Sequence, residues 1–195
     1  ASKLCSDKLF VAANNYSGGH QTRFSVVRYG NVIGSRGSVV PYFLTMRKTG
    51  TLPITDPRMT RFWITLEQGV NFVTLCLGRM QGGEVFVPKI PSMNIMDLAR
   101  AVAPECRTEV VGIRPGEKLH EVMVTEEDAR HTLEHEDCFV ILPSFHDWDP
   151  DSHMNRNGGK LCPDGFRYSS DANTQWLTVE QLQKMVASLE KEHGG

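Results

Sequence analysis

The sequence predicts an α/β fold. Short β-rich runs alternate with amphipathic helical patterns along most of the chain. One of those runs, Phe24 to Tyr29, is apolar on consecutive positions, as a strand covered on both faces is, and it opens into a loop rich in Gly and Ser. At the start, Leu4, Cys5, Leu9, Ala12 and Ala13 share one helical stripe, and Asn-Asn-Tyr-Ser-Gly-Gly stops that helix at Asn14 or Asn15. No cap or turn precedes the stripe, so the chain is expected to begin inside a larger protein. After the strand and the loop of Asn31 to Gly37, a helix fits Val39 to Lys48 with Val40, Phe43 and Leu44 inward. Pro53 to Arg61 reads as a turn-rich connection and Phe62 to Ile64 as a strand. Leu66, Val70, Val73 and Leu77 then mark the inward face of an amphipathic helix. Gly82-Gly83 precedes a strand at Glu84 to Val87. Asn94 caps a helix with Ile95, Leu98, Ala99 and Val102 inward, and Glu109 to Ile113 is the next strand. Thr125 and Asp128 start a helix to about Glu134, Asp137 to Leu142 forms a strand, and polar Pro143 to Phe166 is a long loop. Thr178-Val179-Glu180-Gln181 has a capping-box pattern and opens a last helix with Leu182, Met185, Val186 and Leu189 inward.

A chain of 195 residues, 40% apolar and 23% charged, can bury an ordinary core. Its formal net charge of -2 provides no field to draw nucleic acid or an anionic membrane. No apolar run reaches the length of a membrane span, and the opening stretch, charged at Lys3, Asp7 and Lys8, does not read as a signal peptide. Five cysteines stand singly, an odd number without Cys-x-x-Cys spacing, which suggests neither a disulfide frame nor a zinc knuckle. A reduced, cytoplasmic setting follows. His131 and His135 are four apart on the expected helix, a spacing metal ligands use, but no third ligand accompanies them. They read as solvent-facing, and no metal is expected.

The stretch Arg28-Tyr29-Gly30-Asn31-Val32-Ile33-Gly34-Ser35-Arg36-Gly37-Ser38-Val39-Val40-Pro41 is the most informative. In open α/β sheets ligands bind at the carboxyl ends of strands. Asn31 offers both a donor and an acceptor, and Gly34 and Gly37 let backbone approach a ligand. On residue chemistry alone, a surface loop that uses glycine for turning fits equally well.

That stretch resembles the loop after a late Rossmann strand in extended short-chain dehydrogenase/reductase enzymes acting on UDP-sugars. Ile54-Thr55-Asp56-Pro57-Arg58-Met59-Thr60-Arg61-Phe62-Trp63 and Gly112-Ile113-Arg114-Pro115-Gly116-Glu117-Lys118-Leu119-His120-Glu121 are similar to two further motifs of the family, in the family's order. Val85-Phe86-Val87-Pro88-Lys89-Ile90-Pro91-Ser92-Met93 resembles a stretch of the inverting UDP-N-acetylglucosamine 4,6-dehydratases within it. Tyr168-Ser169-Ser170 with Trp176-Leu177 is like their C-terminal end. The resemblance covers nearly the whole chain outside Pro143 to Phe166. It implies that Asn31 contacts the sugar nucleotide, that Arg61 reaches its UDP part and that Arg114 takes the pyrophosphate. Val32, Ile33, Gly34, Ser35 and Arg36 would approach a nicotinamide cofactor, NADP. A guanidinium suits these roles because it stays charged and grips phosphoryl oxygens through paired hydrogen bonds. Without the resemblance, Arg61 would be read as pairing with Asp56 and Arg114 with Glu117.

Ala1-Ser2-Lys3-Leu4 matches the end of the family's Tyr-Gly-Ala-Ser-Lys-Leu segment. The resemblance makes Lys3 the lysine that holds the cofactor ribose and stabilises a tyrosinate, with the tyrosine two positions before Ala1. Taken alone, Lys3 is a solvated helix lysine. The implied fold is the C-terminal part of an NAD(P)-binding Rossmann fold: residues 1–38 end the nucleotide-binding domain, and 39–195 form a small sugar-nucleotide lobe interleaved with the last Rossmann strands and helices. The implied reaction is C5-inverting 4,6-dehydration of UDP-N-acetylglucosamine to a 4-keto-6-deoxy sugar nucleotide, for pseudaminic acid or surface polysaccharide. A UDP-N-acetylglucosamine epimerase of the same family and a non-catalytic UDP-sugar-binding module are the alternatives. The sequence has no Gly-rich dinucleotide fingerprint, so this chain alone is expected to be inactive and to hold cofactor poorly. The full-length protein is expected to be a homo-oligomer.

Overall fold

The computed structural model describes residues 2–16, 21–35, 37–144 and 150–193. Arg36 and the Ser17-Gly18-Gly19 of the expected helix stop lie outside the described residues. The helices are α1 (Ser2–Ala13), α2 (Val39–Arg47), α3 (Leu66–Arg79), α4 (Ile95–Val102), α5 (Glu126–Ala129), α6 (Pro150–Asn157) and α7 (Val179–His193). The strands are β1 (Val26–Val27), β2 (Asn31–Val32), β3 (Thr51–Ile54), β4 (Thr60–Ile64), β5 (Val85–Pro88), β6 (Ser92–Asn94), β7 (Arg107–Val110), β8 (Val122–Val124), β9 (Thr132–Glu134), β10 (Cys138–Ile141), β11 (Lys160–Leu161) and β12 (Tyr168–Ser169). The chain divides into two compact units, one of residues 1–29, 67–89 and 122–168, the other of 30–66, 90–121 and 169–195. Residue 38, where the sequence reading draws its boundary, lies within the second unit.

The first unit is built on a five-stranded sheet in the order β1-β5-β10-β9-β11. β1 pairs with β5 in parallel and β5 with β10 antiparallel. Every residue of β5 and β10 is buried, which accounts for their unbroken apolar runs. Phe72, Cys76, Phe86, Leu133, Cys138 and Val140 fill the core. Burial pushes the Cys76 and Cys138 thiols up to about 12, so neither is a nucleophile near neutrality. The face expected to turn inward on α3 is the wrong one. Leu66, Val70, Val73 and Leu77 are exposed, whereas Gly69, Phe72 and Cys76 are buried. Amphipathic periodicity gave the helix but placed its larger apolar stripe inward, while the sheet takes the stripe with the aromatic ring.

The expected helix from Thr125 to Glu134 is also shorter. Thr125 and Asp128 form a reciprocal capping box, but the helix ends at Ala129 and Thr132–Glu134 is a strand beside β10. Pairing to a buried strand outweighs local propensity there. His131 and His135 therefore lie on either side of a strand rather than one turn apart on a helix. The long loop expected from Pro143 holds α6 and β11.

In the second unit β4 is central: β2 lies parallel on one side, with Asn31 opposite Trp63, and β6 antiparallel on the other. β3 and β7 form a separate parallel pair, so the connection expected from Pro53 begins as a strand. Val40 and Phe43 of α2, Leu98 and Val102 of α4, and Leu182 and Val186 of α7 close the core over Leu52, Ile54, Trp63 and Met93. The Asn94 side chain accepts from the Met96 N–H at 2.7 Å, capping α4 as expected. Thr178 and Gln181 exchange hydrogen bonds at 2.8 and 3.3 Å at the start of α7. Gly30 has a steric reason: a Cβ there would stand 2.5 Å from both Cβ and O of Phe62. Only glycine lets the chain enter β2 against β4.

Candidate functional site

β2 is only two residues long and covers one edge of β4 from Trp63 onward. Before Trp63 the segment Lys118–Glu121 takes over. The Thr60 N–H donates to Leu119 O at 3.2 Å, and the Phe62 N–H to Glu121 Oε2 at 3.0 Å. Arg61 fastens the segment. Its Nη1 donates to Thr60 O at 2.6 Å and Leu119 O at 3.0 Å, its Nη2 to Lys118 O at 2.9 Å, and its Nε lies 3.9 Å from Glu121 Oε1. The side chain is only 15% exposed, so much of the guanidinium fork is committed to backbone carbonyls. A buried polar chain backs it: Thr60 Oγ1 meets His120 Nδ1 at 2.8 Å and Ser170 Oγ at 2.7 Å, and Ser170 Oγ accepts from the Glu121 N–H at 2.9 Å.

Asn31 arrives at the same place from β2. A carboxylate only accepts, so the amide must face Glu121 with its nitrogen. Nδ2 then donates to Oε1 at 2.8 Å, with Oε2 at 3.3 Å. Asn31 and Arg61 thus meet at one carboxylate, Glu121. Sequence reasoning quoted Glu121 within a motif without giving it a role. Its acidic character gives no signal of a partner 90 positions away.

Arg114 sits elsewhere in the same unit. It lines a groove of about 770 Å³ with Gly37, Ser38, Val39, Tyr42 and Phe43 on one side and Pro53, Thr55 and Gly112 among the rest. Neither Asn31 nor Arg61 lines that groove. The Arg114 side chain is exposed and makes no ion pair among the described residues. Glu117 instead bonds its backbone: the Arg114 N–H donates to Glu117 Oε2 at 3.3 Å, and the Glu117 N–H returns to Arg114 O at 3.0 Å. Ser38 is the N-cap of α2, yet its side chain makes no capping bond, and its Oγ is buried without a hydrogen-bond partner among the described residues. The start of α2 and an exposed guanidinium lie on one groove, an arrangement that can receive an anion.

The pairings weighed for the two arginines do not form between side chains. Asp56 is gripped by Arg58, with Nη2–Oδ2 at 2.7 Å and Nε–Oδ1 at 3.0 Å. Those hydrogen bonds hold its carboxyl down to about 2. Lys3 is exposed on α1, in the first unit. Val32 is half-buried and Ile33 is buried, with its N–H donated to Ile64 O at 2.9 Å; Ser35 donates to Val32 O at 3.3 Å. Gly34 holds φ at 75° with Leu189 behind it, where a Cβ would come within 2.6 Å. These residues fit a cofactor only in part: the exposed Lys3 offers a cation, but Leu189 backs Gly34 and the Ile33 side chain belongs to the core. His131 is exposed. His135 is half-buried, and desolvation followed by the nearby His153 lowers its pKa.

The parallel strand pairs, the helices that follow them and Asn31 on a short strand beside β4 fit the C-terminal part of a Rossmann-like α/β fold of the short-chain dehydrogenase/reductase type. A solved structure, Pen from Bacillus thuringiensis, superposes with a TM-score of 0.81 at 29% identity, over 96% of this chain and 57% of that one. Residues 1–143 match the polysaccharide biosynthesis protein family, and the chain belongs to that family. It is 55% identical over 192 residues to the inverting UDP-N-acetylglucosamine 4,6-dehydratase of Campylobacter jejuni. It is 33% identical over 200 residues to the UDP-glucose 4-epimerase of Rickettsia canadensis. The matches cover 95% and 96% of this chain but 58% and 56% of those proteins, so the chain spans little more than half their length.

Proposed function

We propose that this chain supplies the sugar-nucleotide-binding portion of an inverting UDP-N-acetylglucosamine 4,6-dehydratase of the cytoplasm, working with NADP and assembling as a homo-oligomer. The observation that carries the reading is the groove in which Arg114 and the uncapped Ser38 face one space of nucleotide size. A pyrophosphate there would take paired bonds from Arg114 and donors from the start of α2. Arg61 would act at the UDP part, in part by clamping the segment that leads on from Arg114, and Asn31 would meet the sugar. NADP, when bound, supplies the redox chemistry of the sugar. Lys3 would hold its ribose, and Val32, Gly34 and Ser35 would border it, with Ile33 contributing backbone only; Arg36 belongs to the same stretch. The 55% identity to the Campylobacter jejuni inverting dehydratase supports 4,6-dehydration, and the destination proposed for its product is pseudaminic acid or surface polysaccharide.

Calorimetric titration of UDP into the purified chain tests the binding half, with saturable binding expected and no conversion of UDP-N-acetylglucosamine. No UDP binding would remove the reading. The match to the Rickettsia canadensis epimerase favours epimerisation as the second reading. A product assay on the protein extended to the length of its relatives separates the two, since only the dehydratase product has lost water.

A further inference from the structure

Glu121 lies at the junction of three things the site depends on. Its carboxylate accepts from the Phe62 N–H of β4 at 3.0 Å, from the Asn31 amide at 2.8 Å, and stands 3.9 Å from Arg61 Nε. Its own backbone is pinned from both sides by Ser170, which is fully buried: the Glu121 N–H donates to Ser170 Oγ at 2.9 Å, and the Ser170 N–H to Glu121 O at 2.9 Å. A group held this firmly dictates the orientation of its neighbour. Asn31 has a donor edge and an acceptor edge of nearly the same shape. Because a carboxylate lacks a proton to give, only the donor edge can face it, and Oδ1 is left on the opposite edge.

We propose that Glu121 is a positioning residue that fixes the Asn31 amide nitrogen-inward, so that Asn31 reads its ligand through Oδ1, as an acceptor for a hydroxyl or amide N–H of the sugar. The proposal rests on the sugar-nucleotide reading above and deepens it. The partner of Asn31 is then a neutral donor such as a hexosamine carries. A phosphoryl oxygen would face both Oδ1 and the Glu121 charge, and the exposed Arg114 is placed for it instead. Glu121→Gln is the informative change, because it keeps the shape and inverts the logic. The Gln carbonyl can keep the Phe62 N–H, but its NH₂ then faces Asn31, which turns its own oxygen inward and offers Nδ2.

The test compares UDP with UDP-N-acetylglucosamine on the purified chain, wild type against Glu121→Gln, by calorimetry. The expected result is UDP affinity unchanged within about twofold, with the gain from the sugar reduced about fivefold to tenfold, the effect of one mismatched hydrogen bond. A second arm needs no ligand: the side-chain amide signals of Asn31, assigned by their loss in Asn31→Ala, should move in Glu121→Gln with unchanged circular dichroism. Equal sugar gain in both proteins, or unmoved Asn31 amide signals, overturns the proposal. If the wild type binds neither ligand, the sugar-nucleotide reading and the recognition role given to Asn31 both fail, and the amide signals alone then judge whether Glu121 orients Asn31.

Discussion

Replacing Arg114 by Ala removes an exposed side chain that makes no ion pair among the described residues, whereas replacing Arg61 by Ala removes three hydrogen bonds to backbone carbonyls. The two substitutions should therefore separate. Arg114→Ala is expected to weaken UDP binding about tenfold or more, the loss of charge-assisted bonds, and to leave the melting temperature within error. Arg61→Ala is expected to cost about 1–3 kcal/mol in denaturant unfolding as well as binding, because hydrogen bonds from a charged donor are lost. Lys in place of Arg61 should recover little of that cost, since one ammonium cannot match the planar fork. These roles were partly legible from residue types: arginines suit phosphates. That Arg61 also staples Lys118 and Leu119 was not legible, because it depends on β4 running beside a segment 57 positions later.

At the scale of the element, local signals worked where they are self-contained. The caps at Asn94 and Thr178 join atoms two or three residues apart, and both form. Thr178→Ala should lower stability by about 1 kcal/mol, read as a shift in the midpoint of urea unfolding at constant slope. The failure on α3 is equally specific. Leu66, Val70, Val73 and Leu77 make a periodic stripe as convincing as that of Phe72 and Cys76, and periodicity has no means to choose between two apolar faces. The buried face predicts an asymmetric pair of outcomes. Phe72→Ala should destabilise the chain by about 3 kcal/mol or more, while Val70→Lys and Leu77→Lys should stay within about 0.5 kcal/mol. Equal costs on the two faces would contradict the observed packing. The helix expected through Glu134 failed for a different reason: Thr132–Glu134 is committed to β10, a partner that lies beyond any helical window.

Across the whole molecule, a buried carboxylate links stability to pH. Glu84 is fully buried. Burial opposes its ionisation, but hydrogen bonds from His153, from Ser25 at 2.7 Å and from the Gln81 N–H outweigh it, and its pKa lies below the ordinary 4.5. A carboxyl depressed in the folded state contributes stability above its unfolded value, and that contribution is lost as pH falls through the lower folded one. Melting temperature should therefore drop on acidification below pH 4.5, and Glu84→Gln should flatten that limb while lowering the neutral-pH value. Unchanged acid sensitivity in Glu84→Gln would point to other carboxylates. Sequence alone determined the α/β class, the caps and the kinship of its motifs, because each is written within a few neighbouring residues, whereas the loop expected from Asn31 begins as strand β2. Only the tertiary structure decided which face of α3 is buried, that β3 and β7 pair, and that Asn31, Arg61 and Glu121 meet, because those outcomes depend on which distant backbone edge each segment finds to satisfy its hydrogen bonds.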